Sequence, residues 1–164
     1  MNIIHNKTCR MCDCAKFRVV INMGLHPLVN SLVSKENLRV KDPVFPLIMK
    51  QCQKCSLVQL VDIIDAEEIY KKVDYLFFSS DMPGLANYFS EYADDIRARF
   101  LKKDDLIVEI GSNDGIMLNL LKDTNRVLGV DPATNIVLRA LKRGIPTIPM
   151  FFSEDLAKKI AQEW

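Results

Sequence analysis

Asp105-Leu106-Ile107-Val108-Glu109-Ile110-Gly111-Ser112-Asn113-Asp114-Gly115, followed by Leu128-Gly129-Val130-Asp131, decides how this chain is read. An apolar run carries Glu109 near its end, turns through two glycines and passes into an amphipathic stretch. A second apolar run ends at Asp131, 22 residues after Glu109. The pattern predicts strand, glycine turn, helix, strand and acid. Doubly wound α/β domains use that arrangement to hold an adenosine-containing cofactor at the carboxyl ends of their strands. Gly111 is expected to leave the strand through dihedrals closed to residues with a Cβ, and both glycines to let backbone approach a ligand closely. Asp131 suits a ribose diol, because two acceptor oxygens match two hydroxyl donors. Glycine turns after strands also occur with no ligand at all, so the acids matter as much as the glycines.

A dinucleotide fingerprint wants Gly-x-Gly-x-x-Gly, which delivers a pyrophosphate to a helix amino terminus. Here Ser112-Asn113-Asp114 separates Gly111 from Gly115, with no middle glycine. Asp114 would set a negative charge where a pyrophosphate belongs. Glu109 and Asp114 instead suit a positively charged ligand, such as the amine and sulfonium of S-adenosylmethionine (SAM).

Val108 to Gly115 and Leu128-Gly129-Val130-Asp131-Pro132-Ala133-Thr134-Asn135-Ile136 resemble class I SAM-dependent methyltransferases. More narrowly, the chain resembles the branch with an amino-terminal zinc-binding domain that includes deoxysugar C-methyltransferases. Cys9-Arg10-Met11-Cys12, Leu25-His26-Pro27-Leu28-Val29-Asn30, Cys52-Gln53-Lys54-Cys55 and Tyr75-Leu76-Phe77-Phe78-Ser79-Ser80 follow in that family's order. The resemblance implies cofactor contacts at Glu109, Gly111, Ser112, Asn113, Gly115, Asp131, Pro132 and Ser80. It implies substrate contacts at Tyr75 and His26. The substrate it implies is a nucleotide-linked keto-deoxysugar: a base removes the proton beside the ketone, and the carbanion attacks the SAM methyl group in line.

The cysteines divide the chain differently. All five lie between residues 9 and 55, and four form two Cys-x-x-Cys pairs. Cys9, Cys12, Cys52 and Cys55 are expected to complete a tetrahedral, structural zinc site, each pair on a tight knuckle with no vacancy for water. A redox or disulfide pair is the other reading. It lacks the strand-then-helix context that a thioredoxin-like motif needs. Cys14 is either a free thiol or a competitor of Cys12.

Composition excludes several classes. The chain has 164 residues, 49% hydrophobic and 26% charged, with a formal net charge of +1. It therefore lacks the concentrated basic character of nucleic-acid binders. No apolar run reaches membrane-spanning length and no leader is evident, so a cytoplasmic location and no membrane partner are expected.

The expected fold is α/β: a partial, Rossmann-like, doubly wound SAM-binding sheet preceded by a small β-rich zinc module. Residues 1–60 read as the zinc module, with strands at 17–23 and 45–51 flanking a turn-rich Gly24-Leu25-His26-Pro27. Residues 61–82 read as a linker and active-site segment. Residues 83–164 read as the incomplete cofactor domain. There Pro83 fits the first turn of a helix carrying Leu85, Tyr88, Phe89, Tyr92, Ile96 and Phe100. A strand at 105–110, a helix at 115–122 and a strand at 126–130 follow. Thr134 or Asn135 begins a helix that Gly144 ends; a strand at 145–152 and a helix capped by Ser153 close the chain. Such sheets usually need about five strands or more to bind at their switch point. The chain therefore reads as the amino-terminal part of an enzyme, with catalytic residues expected beyond Trp164. Two other readings stay open: a non-catalytic zinc- and cofactor-binding module, and half of an NAD-linked oxidoreductase domain.

Overall fold

Three strands near the amino terminus form an antiparallel sheet: β2 (Phe17–His26), β3 (Phe45–Cys52) and β4 (Val58–Leu60), in the order β2-β3-β4. Beside it, β1 (Ile3–His5) pairs antiparallel with β5 (Asp62–Ile64), and His5 Nδ1 lies 2.8 Å from Asp62 Oδ1. Helix α1 (Ala66–Tyr70) starts at Asp65, whose carboxylate accepts the Glu67 N–H. These elements come from a computed structural model that describes residues 3–71 and 74–164.

The turn expected at Gly24–Pro27 is corrected in part. Gly24, Leu25 and His26 continue β2, whose pairing with β3 shifts register between Asn22 and Leu25. A bulge there absorbs the extra residue that local turn propensity suggested. The segment expected as a linker is likewise divided: β5 and α1 belong to the first unit, and residues from Asp74 onward to the second. The chain clusters into Met1–Val73 and Asp74–Trp164.

The first unit buries little. Among the described residues its buried apolar side chains are Cys9, Phe45, Cys52 and Val61, while Val19, Val20, Ile21, Met23 and Leu25 along β2 stay exposed. A core of that size cannot offset the ordering entropy of some seventy residues by itself, so another source of stability is needed.

The second unit is built on a parallel sheet of β6 (Leu106–Ile110), β7 (Arg126–Val130) and β8 (Thr147–Ile148), in that order. Alternation along the strands separates two cores. Ile107 and Val127 face α2 (Leu85–Arg99), α3 (Ile116–Leu121) and Ala140 of α4 (Thr134–Lys142). Leu106, Val108, Leu128 and Val130 face Leu156 and Ile160 of α5 (Glu154–Glu163). A parallel sheet with apolar residues on both faces needs helices on both, and the two clusters supply them. The α/β class is therefore present. Pro83 lies just ahead of the Gly84 N-cap rather than inside the first turn. The third strand is only two residues long, because Pro146 and Pro149 flank it without N–H donors. No helix among the described residues is long and apolar enough to cross a membrane.

Two substitutions test this packing. A Cβ on Gly129 would lie 2.5 Å from Ser112 Oγ and 2.8 Å from Thr147 Oγ1. Gly129→Ala should therefore cost about 1–3 kcal/mol in denaturant unfolding, through overpacking at the centre of the sheet. Ser153 Oγ accepts the Leu156 N–H at 3.2 Å as the expected cap of α5. Ser153→Ala should cost about 1 kcal/mol in the same assay.

Candidate metal centre and cofactor site

Both Cys-x-x-Cys pairs adopt the same knuckle. The Cys9 N–H donates to Cys14 O at 2.9 Å, and the Asp13 N–H donates to Cys9 O at 2.9 Å. In the second, the Cys52 N–H donates to Leu57 O at 2.8 Å, and the Ser56 N–H to Cys52 O at 3.1 Å. Asp13 and Ser56 occupy equivalent positions with φ of 55° and 64°, the left-handed turn that reverses each chain. The equivalence of Asp13 and Ser56 went unread in the sequence, though small or polar residues tolerate that conformation best.

The antiparallel register Phe17↔Cys52 brings the knuckles together. All four sulfurs lie within 4.8 Å of one another, with Cys9–Cys55 and Cys12–Cys52 separations of 3.6 Å. Tetrahedral zinc with Zn–S near 2.3 Å implies sulfurs about 3.8 Å apart. The donor set and its spacing fit zinc. The backbone N–H groups of Cys55 and Lys54 point at the Cys52 sulfur and lower its pKa, whereas burial and the neighbouring sulfurs push the Cys12 and Cys55 thiols up. Cys14 stands outside this cluster; its sulfur accepts the Lys16 N–H at 3.4 Å, and its carbonyl serves the first knuckle. His26 is also no ligand: Nε2 bonds Met23 O at 2.7 Å, at the edge of an apolar groove of about 660 Å³ lined by Leu28, Phe45, Leu57 and Ile64.

At the carboxyl ends of β6 and β7, the turn after Gly111 is held from within. Gly111 and Ser112 donate their N–H groups to Val130 O at 2.8 and 3.3 Å. The Asn113 N–H goes to Asp131 Oδ2 at 3.0 Å, Asp114 N–H to Asn113 Oδ1 at 2.9 Å, and Gly115 N–H to Ser112 O at 3.0 Å. Five consecutive donors are thus engaged inside the protein. A loop with that bonding has acceptors to offer, not the N–H cradle a pyrophosphate needs.

The acceptors are Glu109 and Asp131. Asp131 is 8% exposed, and its second oxygen accepts the Ala133 N–H at 2.9 Å. Each carboxylate oxygen has two acceptor positions, so both remain able to receive a hydroxyl. Glu109 Oε2 is buried with no hydrogen-bond partner among the described residues. Burial, with Asp131 adding like charge, pushes its pKa up to about 7.

That shift has a direction. The folded pKa exceeds the ordinary value of 4.5, so protonated Glu109 stabilises the fold relative to its ionised form. The contribution is full below about pH 4.5 and lost as pH rises through about 7. Without ligand, Glu109→Gln should therefore gain about 2–3 kcal/mol on wild type at pH 8 relative to pH 4.5, read from parallel urea titrations.

The remaining residues of this turn are engaged within the protein. Asp114 faces no ligand space: it is 0% exposed, with Arg143 and Arg139 at 3.3 and 3.7 Å and the Ser80 hydroxyl donating to it. Arg139 of α4 and Arg143 at its C-cap stand against one carboxylate oxygen, while Asp114 Oδ1 is buried with no hydrogen-bond partner among the described residues. Ser80, expected at the cofactor, is engaged by Asp114 and by Arg143 Nη2 at 2.6 Å. Ser112 Oγ is buried against Gly129, which points it into the sheet. At Gly115 the close neighbour is Ile145, 3.1 Å from a would-be Cβ, and φ is +76°. At Gly111 only the φ of +72° demands glycine, and the space beside it is open.

Residues 9–70 match the methyltransferase family model described as a zinc binding domain. With the four-sulfur cluster, that match supports zinc binding by the first unit. Over 155 residues the chain is 32% identical to the C-methyltransferase NovU of Streptomyces niveus, an alignment spanning 93% of this chain and 36% of that protein. These two matches support a methyltransferase-related chain. It spans about a third of the length of that relative.

Proposed function

We propose that the chain binds SAM in its second unit and forms part of a SAM-dependent C-methyltransferase for a nucleotide-linked keto-deoxysugar. The observation that carries this reading is the reversed polarity of the glycine turn: N–H donors 111–115 are all engaged, whereas Glu109 and Asp131 present acceptors at the strand ends. SAM and S-adenosylhomocysteine offer complementary donors, a ribose diol and an α-amine, and carry no phosphate. NAD carries a pyrophosphate for which this turn has no free donor, so the oxidoreductase reading is disfavoured.

When bound, SAM supplies an electrophilic methyl group. Asp131 would accept the ribose hydroxyls while keeping its bonds to Asn113 and Ala133, so the diol arrives at a carboxylate already fixed in place. Glu109 would receive the amine and ionise as it does so. Gly111 leaves open space beside the turn, and Pro132 follows Asp131 on the same loop. Ser112 and Gly115 act through the shape of the turn. Tyr75 remains a substrate residue on its own segment, and His26 one on its own unit's groove; both rest on the resemblance. The zinc would hold the first unit together, since four protein sulfurs leave no open coordination position.

Thermal shift of the zinc-loaded chain with SAM, S-adenosylhomocysteine and NAD tests the proposal. The two adenosyl ligands should raise the midpoint and NAD should not, because only a ligand of the native state stabilises it. A shift with NAD alone would reverse the assignment.

A further inference from the structure

Residues Tyr75 to Asp81 are strapped onto the carboxyl end of the sheet by polar side chains of α4 and its C-cap. Asn135 and Arg139 lie four residues apart on one face of α4, and Arg143 at its C-cap follows four residues later. Asn135 makes a two-bond clamp to the Tyr75 backbone: Oδ1 accepts the N–H at 3.2 Å and Nδ2 donates to the carbonyl at 2.9 Å. Arg139 stacks 3.7 Å over the Phe78 ring and bonds Asp81 at 2.6 Å. Arg143 holds Ser80. From the other side, the Asn113 side chain donates to Phe77 O at 3.0 Å and accepts the Ser79 N–H at 2.9 Å.

Asn113 therefore belongs to two structures at once. Its backbone N–H is bonded to Asp131, and its side chain holds the strap. Anything that fixes Asp131 also fixes the anchor of Phe77–Ser79, and the Asn135 clamp then sets where Tyr75 stands. Leu76 and Phe77 are 47% and 39% exposed, so apolar burial contributes little at these two positions. Amide-to-backbone bonds hold the 75–79 backbone, beside the side-chain contacts of Phe78, Ser80 and Asp81.

We propose that Asn113 and Asn135 are positioning residues that hold the 75–79 backbone over the glycine turn and couple its order to occupancy at Asp131. The coupling rests on the SAM-site reading above; the clamp itself does not. Asn135→Asp separates the role from general stability. It keeps an acceptor for the Tyr75 N–H but loses the donor to Tyr75 O, while an acid in the first turn of α4 favours the helix. The zinc-loaded chain and its Asn135→Asp and Asn135→Ala variants would be digested with chymotrypsin. Cuts after Tyr75, Leu76, Phe77 and Phe78 would be followed by mass spectrometry, with and without S-adenosylhomocysteine.

Both variants should be cut in the strap faster, about tenfold or more, since cleavage tracks the open population, which rises with the one bond lost in Asn135→Asp and the two lost in Asn135→Ala. Asn135→Asp should keep or raise the wild-type melting temperature, and both should bind S-adenosylhomocysteine about tenfold more weakly. Saturating ligand should slow the cutting of wild type. Unchanged cutting in both variants would overturn the clamp. Faster cutting with unchanged affinity would make the asparagines merely structural and overturn the positioning role. A wild type that binds no S-adenosylhomocysteine would overturn the functional reading together with the coupling, and cutting rates alone would then decide the clamp.

Discussion

Cys52→Ser will unfold the first unit, and chelation of zinc from wild type will do the same. Structural zinc in small modules contributes about 10–16 kcal/mol near neutral pH, comparable to or above the whole stability of a typical domain. Among the described residues of this unit only a few apolar side chains are buried, and two of them, Cys9 and Cys52, are themselves among the four clustered sulfurs. Loss of one sulfur therefore removes metal and core together. Circular dichroism of residues 1–73, with zinc release followed by a chromogenic chelator, should show loss of sheet signal as one equivalent of metal leaves. Cys14→Ser should change neither measurement much, because that residue's contribution to the knuckle is its backbone carbonyl. A metal-free sample that keeps its sheet would refute the zinc assignment.

Asp131→Ala should weaken S-adenosylhomocysteine binding by about 2–4 kcal/mol, for two lost bonds to a charged acceptor partly replaced by water. That is a loss on the order of 30-fold to 1000-fold in Kd. The same carboxylate accepts the Asn113 and Ala133 N–H groups, so the variant will also loosen the glycine turn. Denaturant unfolding run beside calorimetry separates the effects: a folded variant with weak binding supports the ribose role. Wild-type affinity in folded Asp131→Ala would remove it.

How much was legible in the sequence follows from how local each signal is. Cysteine spacing announced the four sulfurs, because a knuckle is a contact among neighbours. The strand at 126–130 and the Ser153 cap were equally readable, one from an apolar run between turns, the other from a hydroxyl ahead of an amphipathic face. The extension of β2 through Gly24–His26 was hidden, since only pairing with Phe45 and Pro46 makes that turn-like stretch a strand. Asp114 misled for a related reason. Its partners Arg139 and Arg143 lie 25 and 29 residues onward in the sequence, so the charge looked free when it is paired. From the sequence, Asn113 is expected at the cofactor and Asn135 as a helix start. Their side chains bond backbone 34 to 60 residues away, and such contacts leave no periodicity to find.

The central claim is that the carboxyl ends of β6 and β7 form an acceptor site for an adenosyl ligand with a cationic amine. Calorimetric titration of S-adenosylhomocysteine into the zinc-loaded chain at pH 7, repeated in buffers of different ionisation enthalpy, tests it most directly. Glu109 has a pKa of about 7 and should ionise as the amine arrives. Binding should therefore release about half a proton, and Glu109→Gln should abolish that release. NAD should give no heat. Tighter binding of NAD than of S-adenosylhomocysteine, or adenosyl binding with no Glu109-dependent proton release, would contradict the account.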